Sequence, residues 1–319
     1  MDFKTYIEDP KTMLVLDGAL ATELQERGLD LNDPLWSGKA LVENPNAIVD
    51  VEKTYLQSGA RCIVTASYQT TPEFLELRRN ISASEAYDTV KKSVQLAKQA
   101  RDTFFKAVGT KPRVFIAGSI GPYGALLSDG SEYRGDYTKT ENEFKSFHRS
   151  RMRALVHAGV DLLAIETQPS APEVRALLNL MESEFPTTQA WVSFTVKEEN
   201  PTALCDGTPF GDIVPLLDAA PNVVAIGVNC VPLQVAKDSL ACIATFTKKP
   251  LVVYPNSGET YDHHDKQWSG KHNHGTLETE CDAWIQHGAR LIGGCCRTGP
   301  DDIKALSQKL ESLHYTCSK

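Results

Sequence analysis

The chain has 319 residues, 41% of them hydrophobic, enough to bury a sizeable core. Lysine and arginine number 33 against 41 aspartates and glutamates, a formal charge of −8, which argues against nucleic acid because phosphate binding relies on concentrated basic charge. The N-terminus lacks the basic, apolar and small-residue succession of a secretory signal, and no apolar run approaches the ~20 residues of a membrane span, so a cytoplasmic protein is expected.

Short apolar runs recur along the chain, each followed by polar or glycine-rich residues. In order they are Met13–Leu16, Cys62–Thr65, Val114–Ala117, Leu162–Ile165, Trp191–Phe194, Val223–Val228, Leu251–Tyr254 and Leu291–Ile292. Most show no strict alternation, the pattern of strands covered on both faces in a parallel sheet. Helical stripes lie between them. Asn44-Pro45 reads as an N-cap with proline in the first turn, Ile48, Val51 and Tyr55 form the stripe, and Gly59 stops it. Ser82-x-x-Glu85, Thr140-x-x-Glu143 and Ser170-x-x-Glu173 read as capping boxes, and Pro300 opens a last helix with Ile303, Leu306 and Leu310 on one face. Glycines at Gly59, Gly159 and Gly288 each precede a strand, the return half of a βα unit. Alternating strands and helices favour a (β/α)8 barrel forming one domain over residues 1–319, with an open doubly wound sheet as runner-up.

Barrel active sites form at the C-terminal ends of strands. There this chain places Asp17-Gly18, Thr65 to Gln69, Gly118-Ser119, Glu166-Thr167, Asn229-Cys230, Pro255 to Ser257 and Gly294 to Arg297. Eight cysteines are too few for a disulfide scaffold in a chain this long, and Cys62, Cys205, Cys242, Cys281 and Cys317 read as small buried hydrophobes. Cys230, Cys295 and Cys296 differ, because they fall at two strand ends that are near neighbours in a closed barrel. Zinc readily takes thiolates, and three protein ligands would leave a fourth position open, as in catalytic zinc sites. A vicinal disulfide between Cys295 and Cys296, or two unrelated buried thiols, is the competing reading.

Asp17 and Glu166 are open to three readings: helix caps or arginine partners, a glycosidase-type acid/base pair, or acceptors for a substrate ammonium group. Two long loops, Tyr123–Lys139 and Asn256–Gly275, have the length of lids or binding surfaces. His263, His264, His272 and His274 lie in the middle of the second and read as solvated rather than metal-binding. Trp36 reads as a recognition aromatic or a packing anchor.

Gly-Val-Asn-Cys at Gly227–Cys230 and Gly-Gly-Cys-Cys-Arg-Thr at Gly293–Thr298 resemble the homocysteine S-methyltransferase family. So do Asp17–Ala19, Thr65–Gln69, Gly121–Ala125, Asp129–Tyr133 and Tyr254–Glu259, so that the resemblance spans nearly the whole chain. It implies a (β/α)8 barrel with one Zn2+ held by Cys230, Cys295 and Cys296, and Asp17 and Glu166 at the homocysteine amino group with Thr65 and Ser67 nearby. Leu35–Ser37 and Gly121–Tyr137 look closest to the branch using S-methylmethionine or S-adenosylmethionine as methyl donor. Betaine-using members carry a tyrosine where this chain has Thr167, and a longer C-terminal extension, so a monomer is the expectation here. A plant branch methylates selenocysteine, which leaves the acceptor open. Beyond the zinc, no general acid or base is expected. A metal-dependent hydrolase barrel would need histidine ligands after strand one, where Asp17-Gly18 stands; a non-catalytic zinc-binding or redox barrel is the remaining rival.

Overall fold

The computed structural model describes residues 2–33, 35–257, 260–262, 267–269 and 275–317. Its strands are β1 (Leu14–Val15), β2 (Cys62–Val64), β3 (Phe115–Ile120), β4 (Leu162–Gln168), β5 (Ala190–Phe194), β6 (Val223–Asn229), β7 (Leu251–Tyr254), the antiparallel hairpin β8 (Thr260–Asp262) and β9 (Gln267–Ser269), and β10 (Ala289–Ile292). All except the hairpin pair in parallel in the order β1-β10-β7-β6-β5-β4-β3-β2. The two ends of that series meet: Leu16 bridges Cys62, Asp17 N–H donates to Cys62 O at 3.1 Å, and Arg61 N–H donates to Val15 O at 2.8 Å. Closure makes this a (β/α)8 barrel and disposes of the open doubly wound sheet, which would leave β1 and β2 as edges.

Two cores follow from strand parity. Residues pointing outward, such as Val15, Ile63, Ile116, Leu163, Ile165, Val192, Val228 and Val253, pack against the surrounding helices. Those pointing inward, such as Leu14, Phe115, Ala117, Leu162, Ala164, Trp191, Ala225, Val252 and Leu291, fill the barrel. The first helix, Phe3–Glu8, lays Phe3, Tyr6 and Ile7 into this inner cluster and seals the lower end; Phe3 meets Phe115 edge-on at 4.9 Å. Continuing the inward parity toward the C-terminal ends gives Ser119, Glu166, Ser193, Asn229 and Tyr254. The barrel interior is thus apolar below and polar above.

The helical ends follow the local signals in most places. Ser82 caps Ala83–Val108 and Thr140 caps Glu141–Ala158, each with the reciprocal glutamate bond of a capping box, and both helices stop at a left-handed glycine, Gly109 and Gly159. Asn44 precedes the helix Pro45–Gln57 without a side-chain cap bond. Ser170-x-x-Glu173 is no capping box: Ser170 makes no cap bond, and Glu173 is buried, accepting from Tyr123 N–H at 2.6 Å and Tyr137 Oη at 2.5 Å and pairing with His148 at 2.7 Å. The stronger tertiary partners claim its carboxylate. β4 also runs past the expected end, so that Glu166 and Thr167 lie within it; its pairing with β5 shifts register between Ile165 and Gln168.

Among the described residues no helix is long and apolar enough to cross a membrane. His263, His264, His272 and His274 lie outside the described residues, as do Gly258 and Glu259.

Candidate metal and substrate site

Cys230, Cys295 and Cys296 come together at the upper rim. Their sulfurs lie within 4.8 Å of one another, and among the described residues no other such cluster of potential ligands occurs. β7, which lies between β6 and β10, sets their spacing. Cys230 N–H donates to Tyr254 O at 3.2 Å, Cys295 N–H to Pro255 O at 2.8 Å, and Ser257 N–H to Cys296 O at 3.0 Å. The chain turns sharply at both cysteine segments: Cys230 has φ 51° and Arg297 φ 65°, in the left-handed region that non-glycine residues adopt at some cost. Gly293 is needed for the approach of β10 to β1, since a Cβ there would stand 2.6 Å from Leu16 Cβ and 2.9 Å from Asp17 O.

The structure bonds Cys230 to Cys295, with Cα atoms 5.6 Å apart, and leaves Cys296 a free thiol. The pairing therefore runs between strand ends and not between the adjacent Cys295 and Cys296. Reduced, the trio suits a thiophilic cation: thiolates ~2.3 Å from a tetrahedral zinc stand about 3.8 Å apart, inside the spacing found here. Burial pushes the Cys296 thiol up to about 12, so in the reduced protein it keeps its proton unless a cation claims the sulfur. Of the remaining cysteines, Cys62, Cys205, Cys281 and Cys317 are buried and Cys242 partly so, all as free thiols.

Beside the thiols opens a cleft whose free space, mouth included, is about 780 Å³. Asp17, Thr65 and Glu166 line it together with Cys230, Cys295 and Cys296; Ser119, Tyr68, Tyr133, Trp36, Asn229 and Tyr254 complete the wall. Ser67 stands one layer behind. It is fully buried, its hydroxyl shares a hydrogen bond with Thr65 Oγ1 at 2.9 Å, and it donates to Ser119 O at 2.9 Å.

Glu166 is held from both sides. Ser119 Oγ donates to Oε1, and Tyr254 Oη donates to Oε2 at 3.0 Å. Tyr254 is itself fixed by Trp191 Nε1, which donates to its oxygen at 3.0 Å, and by Ser193 Oγ at 2.8 Å. Burial lifts the Glu166 carboxyl to about 7, against the lowering effect of both hydroxyls. Asp17 accepts from Val64 N–H at 2.9 Å, yet burial first and the nearby Glu166 carboxylate raise it well above the usual carboxylate range. Among the described residues neither carboxyl is ion-paired, and two buried carboxyls facing one cleft make it a cation-seeking site. Thr167, β-branched and at φ 57°, is held in that conformation by Asn229, whose Oδ1 accepts from Thr167 N–H at 2.7 Å and whose Nδ2 donates to Thr167 Oγ1 at 2.8 Å.

Tyr68, Ser119 and Asn229 lie in segments the sequence places at the rim, and Tyr133 and Tyr254 in family-like segments, but none of the five was given a role of its own; all line the wall. The signal was present for Ser119, Asn229 and Tyr254 in the inward parity of their strands. For Tyr133 the signal was only the length of its loop and the motif Asp129–Tyr133, since no strand parity aims it. Trp36 packs on the outer core and also lines the cleft.

Fold and site together define a parallel barrel with a three-thiol centre and a carboxylate-lined cleft at its C-terminal rim. A sequence model described as homocysteine S-methyltransferase matches residues 14–310. The homocysteine S-methyltransferase YbgG of Bacillus subtilis (strain 168) is 45% identical over 314 residues, 98% of either chain. The selenocysteine methyltransferase of Astragalus bisulcatus is 40% identical over 93% of this chain and 92% of its own. The metallated form of the homocysteine methyltransferase MmuM from Escherichia coli superposes with a TM-score of 0.85 at 44% identity, covering 94% of this chain and 97% of that one. The chain belongs to the homocysteine S-methyltransferase family.

Proposed function

We propose that this chain transfers a methyl group from a sulfonium donor, S-methylmethionine or S-adenosylmethionine, to the thiol of L-homocysteine, giving methionine, with one zinc ion held by Cys230, Cys295 and Cys296. The observation that carries this reading is the juxtaposition of three cysteine sulfurs with two buried carboxyls in one cleft. A free alkyl thiol has a pKa near 8.5 and is mostly protonated at neutral pH; the chemistry a zinc ion supplies when bound is to hold such a thiol as the nucleophilic thiolate.

The chain's own groups do the rest. Asp17 and Glu166 accept hydrogen bonds from the homocysteine ammonium, which supplies the cation these buried carboxyls lack and stabilises their ionised forms. Ser119 and Tyr254 fix the Glu166 carboxylate so that the amino acid is bound in one orientation. Thr65 faces the same end of the cleft, with Ser67 bracing it from behind. Orientation is the main need, because the sulfur attacks the methyl carbon in line as the donor S–CH3 bond breaks. The bond pair stays on the donor sulfur, which leaves as a neutral thioether and requires no proton.

The test is methionine formation from homocysteine by zinc-loaded protein, with S-methylmethionine, S-adenosylmethionine and betaine compared at equal concentrations. Turnover with a sulfonium and little with betaine is expected. Turnover with betaine alone would overturn the donor assignment. Failure with all three, with zinc bound and selenocysteine accepted instead, would move the acceptor toward that of the Astragalus relative.

A further inference from the structure

The peptide bond that follows Glu166 is held at both of its polar atoms. Asn229 Oδ1 accepts from Thr167 N–H at 2.7 Å, and Gln168 Nε2 donates to Glu166 O at 3.0 Å. Asn229 is the last residue of β6 and the one before Cys230. Its side chain reaches from the strand that leads to a thiol to the strand that carries the carboxylate, past β5, which pairs with both. Nδ2 completes the link by donating to Thr167 Oγ1 at 2.8 Å.

β5 and β7 join the same circuit. Ser193 Oγ donates to Asn229 Oδ1 at 2.7 Å and lies 2.8 Å from Tyr254 Oη, which donates to Glu166 Oε2 at 3.0 Å. Tyr254 meets the thiol side through its main chain, since its carbonyl accepts from Cys230 N–H at 3.2 Å. Thr167, Ser193 and Asn229 are fully buried, and Tyr254 is buried as well. Glu166 and Cys230 are thus tied by two routes, one through Asn229 and one through Tyr254, and Ser193 cross-links them. A buried network of this kind makes its members rigid. The left-handed Thr167 and Cys230, at φ 57° and 51°, persist because these contacts over-determine them.

We propose that Asn229 is a positioning residue for the methyl acceptor: it fixes the Glu166 end of the cleft relative to Cys230 and so selects the length of the amino thiol that spans the two. This rests on the acceptor reading above, in which the ammonium meets Asp17 and Glu166 and the sulfur meets the metal. Asn229 lines the cleft, but Oδ1 is taken by two donors and Nδ2 is engaged by Thr167, so it acts through Thr167 and Ser193. A ligand held at both ends gains the full benefit of each contact only where the two sites already stand at its own span. Homocysteine has two methylenes between its α-carbon and its sulfur, whereas cysteine and selenocysteine have one. A rigid frame set for the longer chain leaves the shorter acceptors one contact short. A loosened frame loses that advantage, while a thiol held at the metal end alone is indifferent to it.

The experiment titrates the zinc-loaded full chain calorimetrically with homocysteine, cysteine and 4-mercaptobutyrate, which is homocysteine without its amino group. Wild type, Asn229→Ala and Ser193→Ala are compared, with zinc content and methyl transfer from S-methylmethionine measured beside them. Wild type should prefer homocysteine to cysteine by at least about tenfold. Asn229→Ala should raise the homocysteine Kd roughly tenfold and Ser193→Ala, which removes only the cross-link, roughly threefold. Both should narrow the preference over cysteine and leave zinc content and 4-mercaptobutyrate binding unchanged. Equal weakening of homocysteine and 4-mercaptobutyrate, loss of zinc, or a wild type without preference over cysteine would each overturn the assignment. So would an effect in Asn229→Ala with none in Ser193→Ala, which would mean that Asn229 touches the acceptor directly. Should Asn229→Ala fail to fold, Ser193→Ala decides alone. Any of these failures with methyl transfer intact leaves the transfer reading standing. The expected binding pattern without methyl transfer would sustain Asn229 while that reading fails, and a wild type that binds no homocysteine would overturn both.

Discussion

Glu52 lies in the helix Pro45–Gln57 with both carboxylate oxygens buried and without a hydrogen-bond partner. Burial, aided by the charge on Asp17, lifts it well above its usual 4.5. The unfolded chain ionises this group near 4.5, whereas the folded chain keeps the proton. Its contribution to stability is therefore complete below that pH and is lost as pH rises toward the folded value, by about 1.4 kcal/mol per pH unit. Glu52→Gln should flatten the fall in urea-unfolding free energy between about pH 5 and pH 7 by that amount; equal slopes would show that Glu52 ionises in the fold. At the cleft, Cys230→Ser should lose zinc and methyl transfer together, checked by metal analysis beside methionine formation. Retained activity in metal-free protein would refute the three-thiol centre. Glu166→Ala should keep its zinc while homocysteine binding weakens by about 2 kcal/mol, the order expected for a hydrogen bond between charged groups. The three cysteines and the two carboxylates could be picked out at this scale because each sits at the end of an apolar run. Glu52 could not, because nothing in its neighbours' identities says that its oxygens are buried.

At the scale of elements, a buried polar network ties the helix Glu141–Ala158 to the loop after β3. Arg151 donates to Gly121 O at 2.6 Å, to Tyr68 O at 2.5 Å and, at 3.0 Å, to His148 Nδ1. Burial keeps His148 below its ordinary value. An arginine can only donate, so the neutral ring accepts at Nδ1 and donates from Nε2 to Glu173. Glu173 in turn holds Tyr123 and Tyr137, the two ends of the segment that carries Tyr133. Tyr137→Phe leaves one buried carboxylate oxygen short of a donor and should cost about 2 kcal/mol. Denaturant unfolding measures this, and faster amide exchange across residues 123–137 should accompany it. Unaltered exchange would show that the loop is held by other contacts. The capping boxes at Ser82 and Thr140 were legible because cap and partner are three residues apart. The same spacing at Ser170 misled, since Glu173 is bonded to His148 on another helix.

Across the whole molecule the two ends of the barrel have different tasks. The upper rim carries thiols, carboxylates and left-handed kinks, whereas the lower end is closed by Phe3, Tyr6 and Ile7 packed on the inner core. Residues at the lower end of such barrels act through stability. Phe3→Ala should lower unfolding free energy by about 3 kcal/mol while leaving kcat/KM at 25 °C unaltered. Loss of activity in the folded variant would mean that the plug influences the rim.

The order of strands and helices, the burial of each strand on both faces, and the thiols and carboxylates gathered at strand ends were determined by the sequence itself. These rest on periodicity and on neighbours a few residues apart, where side-chain alternation and turn chemistry act locally. Closure through Leu16 and Cys62, the approach of Cys230 to Cys295, 65 residues away, and the surrender of Glu173 to His148 were decided only by the tertiary structure. Each depends on contacts between distant segments, whose distances and competing partners exist only once the barrel has brought them together.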